Sequence, residues 1–213
     1  MKLYYAPGAC SLASRISLHE AGLPAEFERV DLASRITERG EDYRAINPKG
    51  SVPLLVLDDG QSVTENVAIL TLISGYGPPV EAGNPLGHIR LLEMLSFLSS
   101  ELHVAFKPFW HRVTGADRVR AGEAVAGRLG LVGDHVRELY LFGPHFSVAD
   151  AYLFVMLRWA RAFEIPMPPH LLGYFERVAE RSTVQRALAE EGLPGLRGDA
   201  REAILDAVLE AAP

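Results

Sequence analysis

A chain of 213 residues, 48% hydrophobic and 23% charged, is long enough to bury a substantial core as one large or two small domains. Its formal charge of −6 argues against nucleic acid as the main partner, since phosphate binding needs a basic surface. The excess is spread, with 7 Lys+Arg against 10 Asp+Glu in residues 1–80 and 14 against 17 in residues 81–213. One cysteine, Cys10, excludes an internal disulfide and suits a reducing compartment. No run approaches the roughly 18 apolar residues of a membrane span, and Met1-Lys2 runs into a strand without an apolar leader, so a cytoplasmic protein is expected.

Met1–Tyr5 reads as a strand, Ala6–Ala9 as a loop broken by Pro7 and Gly8, and Cys10-Ser11 as the entry to a helix carried by Leu12, Ala13 and Ile16 and ended at Gly22. The thiol therefore stands at a helix N-terminus, where unpaired N–H groups carry partial positive charge. Such a site lowers a cysteine pKa from about 8.5 to roughly 3.5–7.5, and the Ser11 hydroxyl is near enough in sequence to donate to it. The structural alternative is that Cys10 is a small buried hydrophobe, as most free cysteines are.

Ala25–Leu32 holds Phe27, Val30 and Leu32 among charges and reads as a second strand, parallel to the first through the helix between them. A polar stretch through Arg35 and Arg39 leads to a short helix near Asp42–Ile46, then to the loop Asn47-Pro48-Lys49-Gly50-Ser51-Val52-Pro53. The strand Leu54–Leu57, the turn Asp58-Asp59-Gly60 and the returning strand Gln61–Thr64 form a hairpin. Glu65-Asn66 opens a helix with Val67, Ile69, Leu70 and Ile73 on its apolar face. This β-α-β-α-β-β-α order brings the Cys10 turn, the Val52-Pro53 turn and the Glu65-Asn66 helix start to one edge. An X-Pro bond is where a cis peptide is cheap, and a cis Pro53 would leave the Val52 N–H and C=O outward to pair with an extended, peptide-like ligand. A helix start such as Glu65-Asn66 collects anions, and its carboxylate can hold an ammonium. Taken singly, Val52-Pro53 is equally a turn and Glu65 an N-terminal helix charge.

The set Tyr5, Pro7-Gly8-Ala9-Cys10-Ser11, Asn47–Pro53 and Thr64-Glu65 resembles the thioredoxin-like glutathione-binding domain of glutathione S-transferases. The likeness is strongest to the bacterial beta class, which has a cysteine near its N-terminus. The resemblance implies that Val52 and Pro53 pair with the cysteinyl backbone of glutathione. It places Glu65 and Asn66 at the γ-glutamyl end and Arg35, where the family has lysine, at the glycyl carboxylate. It sets Cys10, flanked by Ala9 and Ser11, beside the glutathione sulfur. Asn66 replaces the family's serine or glycine.

Gly75–Gly87, rich in Gly and Pro, reads as a linker. Beyond it Leu91, Leu95, Leu98, Leu102, Ala105 and Phe109 recur as the buried stripe of one long helix, which Pro108 should kink or end. Its polar stripe is Glu93, Ser96, Ser100, His103 and Lys107, a pattern that ordinarily faces solvent. The resemblance sets His103 over the glutathione sulfur, where an imidazole accepts the thiol proton or stabilises the thiolate. It puts the electrophile near Phe106, Phe109 and Trp110. Ser96 and Val104 stand where the family has asparagine and a basic residue.

A further helix is expected over Arg118–Tyr140, with Val125, Leu129, Val132, Val136 and Leu139 inward and Gly127, Gly130 and Gly133 permitting close helix contact. Ser147 and Asp150 have the spacing of a capping box before the apolar Ala151–Leu157, the expected centre of the helical part. Helices follow near His170–Arg181 and Val184–Glu190, then an amphipathic tail over Ala200–Ala211. The histidines show no metal-ligand spacing.

The fold expected is α/β plus all-α: a thioredoxin-like domain over residues 1–77, a linker over 78–85 and a helical bundle over 86–213. The expected activity is conjugation of glutathione, a co-substrate, to small hydrophobic electrophiles by a cytoplasmic homodimer, with no cofactor, metal, nucleic acid or membrane. The alternatives are monothiol, glutathione-dependent thiol–disulfide exchange through Cys10 and a non-catalytic binding homologue.

Overall fold

Five short strands form one mixed sheet at the N-terminal end of the computed structural model, which describes residues 1–78, 80, 81, 83–136, 138–195, 205, 206 and 209. In chain order they run β1 (Lys2–Tyr5), α1 (Ser11–Glu20), β2 (Glu26–Asp31), β3 (Ile36–Thr37), α2 (Tyr43–Ile46), β4 (Leu54–Val56), β5 (Ser62–Thr64) and α3 (Asn66–Ser74). The sheet order is β3-β2-β1-β4-β5. β1 pairs parallel with β2 and antiparallel with β4, so Leu3 stands between Phe27 and Leu55. Alternation along β1 sends Leu3 into the core with α1 and α3, and Tyr4 to the opposite face with Val30, Leu54 and Tyr43. The two-residue β3 was not expected. Arg35, at φ +60°, turns the chain back so that Val30 pairs with Thr37, and two residues carry no alternation to read.

The C-terminal part is helical: α4 (Gly87–Phe97), a π-helical segment (Leu98–His103), α5 (Lys107–Trp110), α6 (Gly115–Gly133), α7 (Val148–Ala162), α8 (Pro169–Ala179) and α9 (Ser182–Glu190). The single long helix expected through Phe109 is thus three pieces. Pro108 falls in the first turn of α5, where its missing N–H is no loss. α6 stops at Gly133 rather than Tyr140, and Leu139, expected inward, is 49% exposed. Of the glycines expected to allow close contact only Gly133 does so: a Cβ there would meet the His170 ring, whereas Gly127 and Gly130 face open space. The expected tail over 200–211 lies outside the described residues save 205, 206 and 209.

α7 is the axis of the molecule, with every residue but Arg161 buried. Its capping box is present: the Ser147 N–H and hydroxyl donate to Asp150 Oδ2 at 2.8 and 2.6 Å. The fully buried carboxylate also accepts from the Leu141 N–H and the Tyr174 hydroxyl at 2.9 and 2.7 Å. α1 and α3 pack on α7, so one apolar core runs from Leu3 to Leu193. Two polar anchors cross this seam to the loop before Cys10. Trp159 Nε1 donates to the Gly8 carbonyl at 2.9 Å, and the Gly8 N–H donates to Glu191 Oε2 at 3.0 Å.

Candidate active site

Between the sheet domain and the helices lies a cleft of about 390 Å³. From the N-terminal part Ala9, Cys10, Arg35, Val52, Pro53, Glu65 and Asn66 reach it, and from the helical part His103 and Trp110. The three loop ends expected at one edge meet here because β1 and β4 are neighbours in the sheet and α3 starts directly after β5.

Cys10 is the N-cap residue of α1, and its Sγ donates to the Val52 carbonyl at 3.7 Å. The lowered pKa expected of a helix start is not found. Burial pushes the thiol up to about 12, against the pull of the Cys10 and Ser11 backbone N–H groups and with the Glu65 charge adding to the rise. Cys10 is therefore a protonated thiol at neutral pH, able to donate. Ser11 does not serve it: its fully buried hydroxyl donates to the Ala6 carbonyl at 3.2 Å and accepts from the Ala6 N–H at 3.3 Å, so it stiffens the loop.

The Val52–Pro53 peptide is cis. Among the described residues the Val52 N–H makes no hydrogen bond. The Ser51 carbonyl beside it is held by Asn47 Nδ2 at 2.8 Å and the Tyr43 hydroxyl at 2.9 Å. Glu65, N-cap of α3, sits at φ +71°, an uncommon conformation for a residue with a Cβ. Its carboxylate takes the Lys49 ammonium at 2.6 Å. Asn66 Oδ1 accepts from the Ser14 hydroxyl at 2.8 Å, while Asn66 Nδ2 is buried without a partner. Arg35 Nη1 is likewise buried and unpartnered, which leaves a guanidinium free to take an anion.

The π-helical segment brings His103 to the cleft. Its wider turn aims Ser99 and His103 inward, while Ser96 and Ser100 of the same polar stripe stay exposed. His103 Nδ1 lies 2.7 Å from the Tyr152 hydroxyl, and the ring meets Trp159 and Trp110 edge-on at 4.9 and 5.3 Å between centroids. Burial, with Lys107 adding, pushes the imidazole down to about 4, so it is neutral at physiological pH.

Two residues expected on the apolar wall are not on it. Phe106 and Phe109 are 0% and 2% exposed and pack on Trp159 and Phe163, because the short α5 turns its apolar side to the core. The wall is instead Leu32, Val104, Trp110 and Trp159, with Lys107 at its edge. Sequence reasoning missed Ser99, Tyr152 and Trp159. The last two are polar-tipped aromatics seven residues apart in an apolar helix, hence on one face, and that spacing was the available signal. Among the described residues no group of His, Cys, Asp and Glu could hold a metal ion, and no helix is long and apolar enough to cross a membrane.

Comparison with known proteins follows the same division. The glutathione S-transferase N-terminal domain family matches residues 8–74 and the glutathione S-transferase C-terminal domain family residues 87–177. Glutathione S-transferase GstA of Escherichia coli O157:H7 is 41% identical over 202 residues, covering 91% of this chain and 100% of the relative. A sphingomonad glutathione S-transferase solved in complex with glutathione is 43% identical, with a TM-score of 0.83 over 91% of this chain and 100% of that one. A bacterial beta-class enzyme from Sphingomonas chungbukensis is 40% identical, with a TM-score of 0.81 over the same shares.

Proposed function

The chain belongs to the glutathione S-transferase family, in its bacterial beta class, and is an enzyme that uses glutathione as co-substrate; on that premise we propose that it joins the glutathione thiolate to small hydrophobic electrophiles in the cleft between sheet and helices. The observation that carries this reading is the convergence on one cleft of an unpaired Val52 N–H, an unpartnered Arg35 guanidinium, the Glu65 carboxylate, Cys10 and His103. Glutathione lies along Val52 as an added strand, with its ammonium at Glu65, its γ-glutamyl carboxylate near Asn66 Nδ2 and its glycyl carboxylate at Arg35. Its sulfur rests between Cys10 and His103, and the electrophile meets the apolar wall of Val104, Trp110 and Trp159. The units acting in this way are residues 1–77 and 86–213, joined by 78–85, in a cytoplasmic homodimer.

Conjugation is favoured over monothiol thiol–disulfide exchange because exchange needs a Cys10 thiolate, which burial opposes. A protonated Cys10 instead supplies an S–H to the glutathione sulfur. Cys10→Ala separates the two. Conjugation of glutathione to a chlorodinitrobenzene should survive within about tenfold, the scale of one lost hydrogen bond, with no gain or loss of disulfide reduction. A variant that loses conjugation altogether while the wild type reduces mixed disulfides briskly would reverse the assignment.

A further inference from the structure

His103 is held on one side only. Its Nδ1 lies 2.7 Å from the Tyr152 hydroxyl, whereas Nε2 has no hydrogen-bond partner among the described residues and is the nitrogen left for a ligand in the cleft. Two neutral tautomers are compatible with one short O···N distance, and the relative donor and acceptor strengths of phenol and imidazole decide between them. A phenol, with an ordinary pKa of about 10, is a strong donor and a neutral imidazole nitrogen a strong acceptor, so the 2.7 Å contact is O–H···N, from Tyr152 to His103 Nδ1. Trp159 and Trp110 pack edge-on against the ring and favour this orientation, with Nδ1 toward Tyr152.

We propose that Tyr152 is a positioning residue: by donating to His103 Nδ1 it fixes the imidazole as the Nε2–H tautomer, so that His103 meets the glutathione sulfur as a hydrogen-bond donor to the thiolate and not as a base. The proton leaves the glutathione thiol to solvent through the open side of the cleft, and no bond to His103 is made or broken. This rests on His103 lying beside the glutathione sulfur, as proposed above.

The test reads the tautomer directly. Nitrogen-15 histidine spectra of the full chain without glutathione should show His103 as Nε2–H. In Tyr152→Phe, which keeps the ring and its packing, His103 should become a mixture or switch to Nδ1–H. The kcat for conjugation should fall about tenfold, the loss of one hydrogen bond in the transition state, with KM for glutathione changed less than about twofold. An Nδ1–H ring in the wild type overturns the proposal whether or not the variant folds. So does a Tyr152→Phe enzyme with unchanged tautomer and kcat. The ligand-free spectrum stands apart from the conjugation reading, which wild-type turnover tests by itself.

Discussion

At the scale of single residues the cleft is governed by burial more than by local dipoles. A helix start is worth typically about 0.3–1 kcal/mol to an anion, under one pKa unit, whereas burial drives Cys10 from 9.0 to about 12. The same competition makes His103 a stability sensor. Its folded pKa of about 4 lies below the ordinary histidine value of 6.5, so the unfolded chain takes up the proton first. The stability tied to the neutral ring is complete above pH 6.5 and is lost as pH falls through 4. The full window is worth at most about 3 kcal/mol. Urea unfolding at pH 7.5 and 4.5 should therefore show His103→Gln losing about 2 kcal/mol less than the wild type over that interval. Equal losses would mean that the ring stays solvated.

At the scale of elements, the joint that matters is α1 against α9 beneath the Gly8 loop. Gly8 has φ +72°, a turn that suits a residue without a Cβ, and it is held from both sides by Trp159 and Glu191. Arg15 lies between the Tyr5 and Phe27 rings at 4.1 and 4.0 Å and pairs with Glu190 at 3.0 Å and Glu191 at 3.1 Å. The two carboxylates end α9, where negative charge is disfavoured by the helix itself, so Arg15 compensates the cap. Burial opposes ionisation at both. It lifts Glu191 to about 7, while hydrogen bonds from Arg186, His19 and Arg15 outweigh it and hold Glu190 down to about 2. Glu191→Ala strands the buried Arg15 and the Gly8 N–H and should cost about 3 kcal/mol. Glu190→Ala, at a partly exposed pair, should cost about 1 kcal/mol. Denaturant midpoints for the two variants check the order, and equal midpoints would show that Glu191 does not carry the joint.

At the scale of the molecule, the cleft exists because two differently built halves share one core without closing over it. The sheet domain brings backbone polarity and charge, and the helices bring aromatic wall and imidazole. A row of apolar side chains remains outside: Tyr76, Leu86, Ile89 and Leu92, with Ile89 53% exposed. Leu86, Ile89 and Leu92 recur at threes along one side of α4 and its cap, and a dimer contact is the economical way to cover them. Sedimentation velocity should give twice the monomer mass for the wild type, and Ile89→Arg should yield monomer with its fold intact. A monomeric wild type would remove the homodimer from the account.

Local pattern alone was enough to find most of the strands and helices, the Ser147–Asp150 capping box and the loops that meet at the cleft. Each depends on alternation, capping chemistry or a Pro/Gly break within a few residues. The Cys10-Ser11 helix start, Val52-Pro53 and Glu65-Asn66 were legible for that reason, and together with the family resemblance they pointed to glutathione. Tertiary structure decided what those residues are worth. It set Cys10 half-buried against the Val52 carbonyl, so a thiol expected to ionise readily stays protonated. It sent Ser11 to its own loop and drew Phe106 and Phe109 into the core. Through a π-helical turn that no periodicity announces, it swung His103 against Tyr152. Burial, and the side of a helix that faces a cavity, are set by atoms distant in the chain, and those cannot be read from a residue's immediate neighbours.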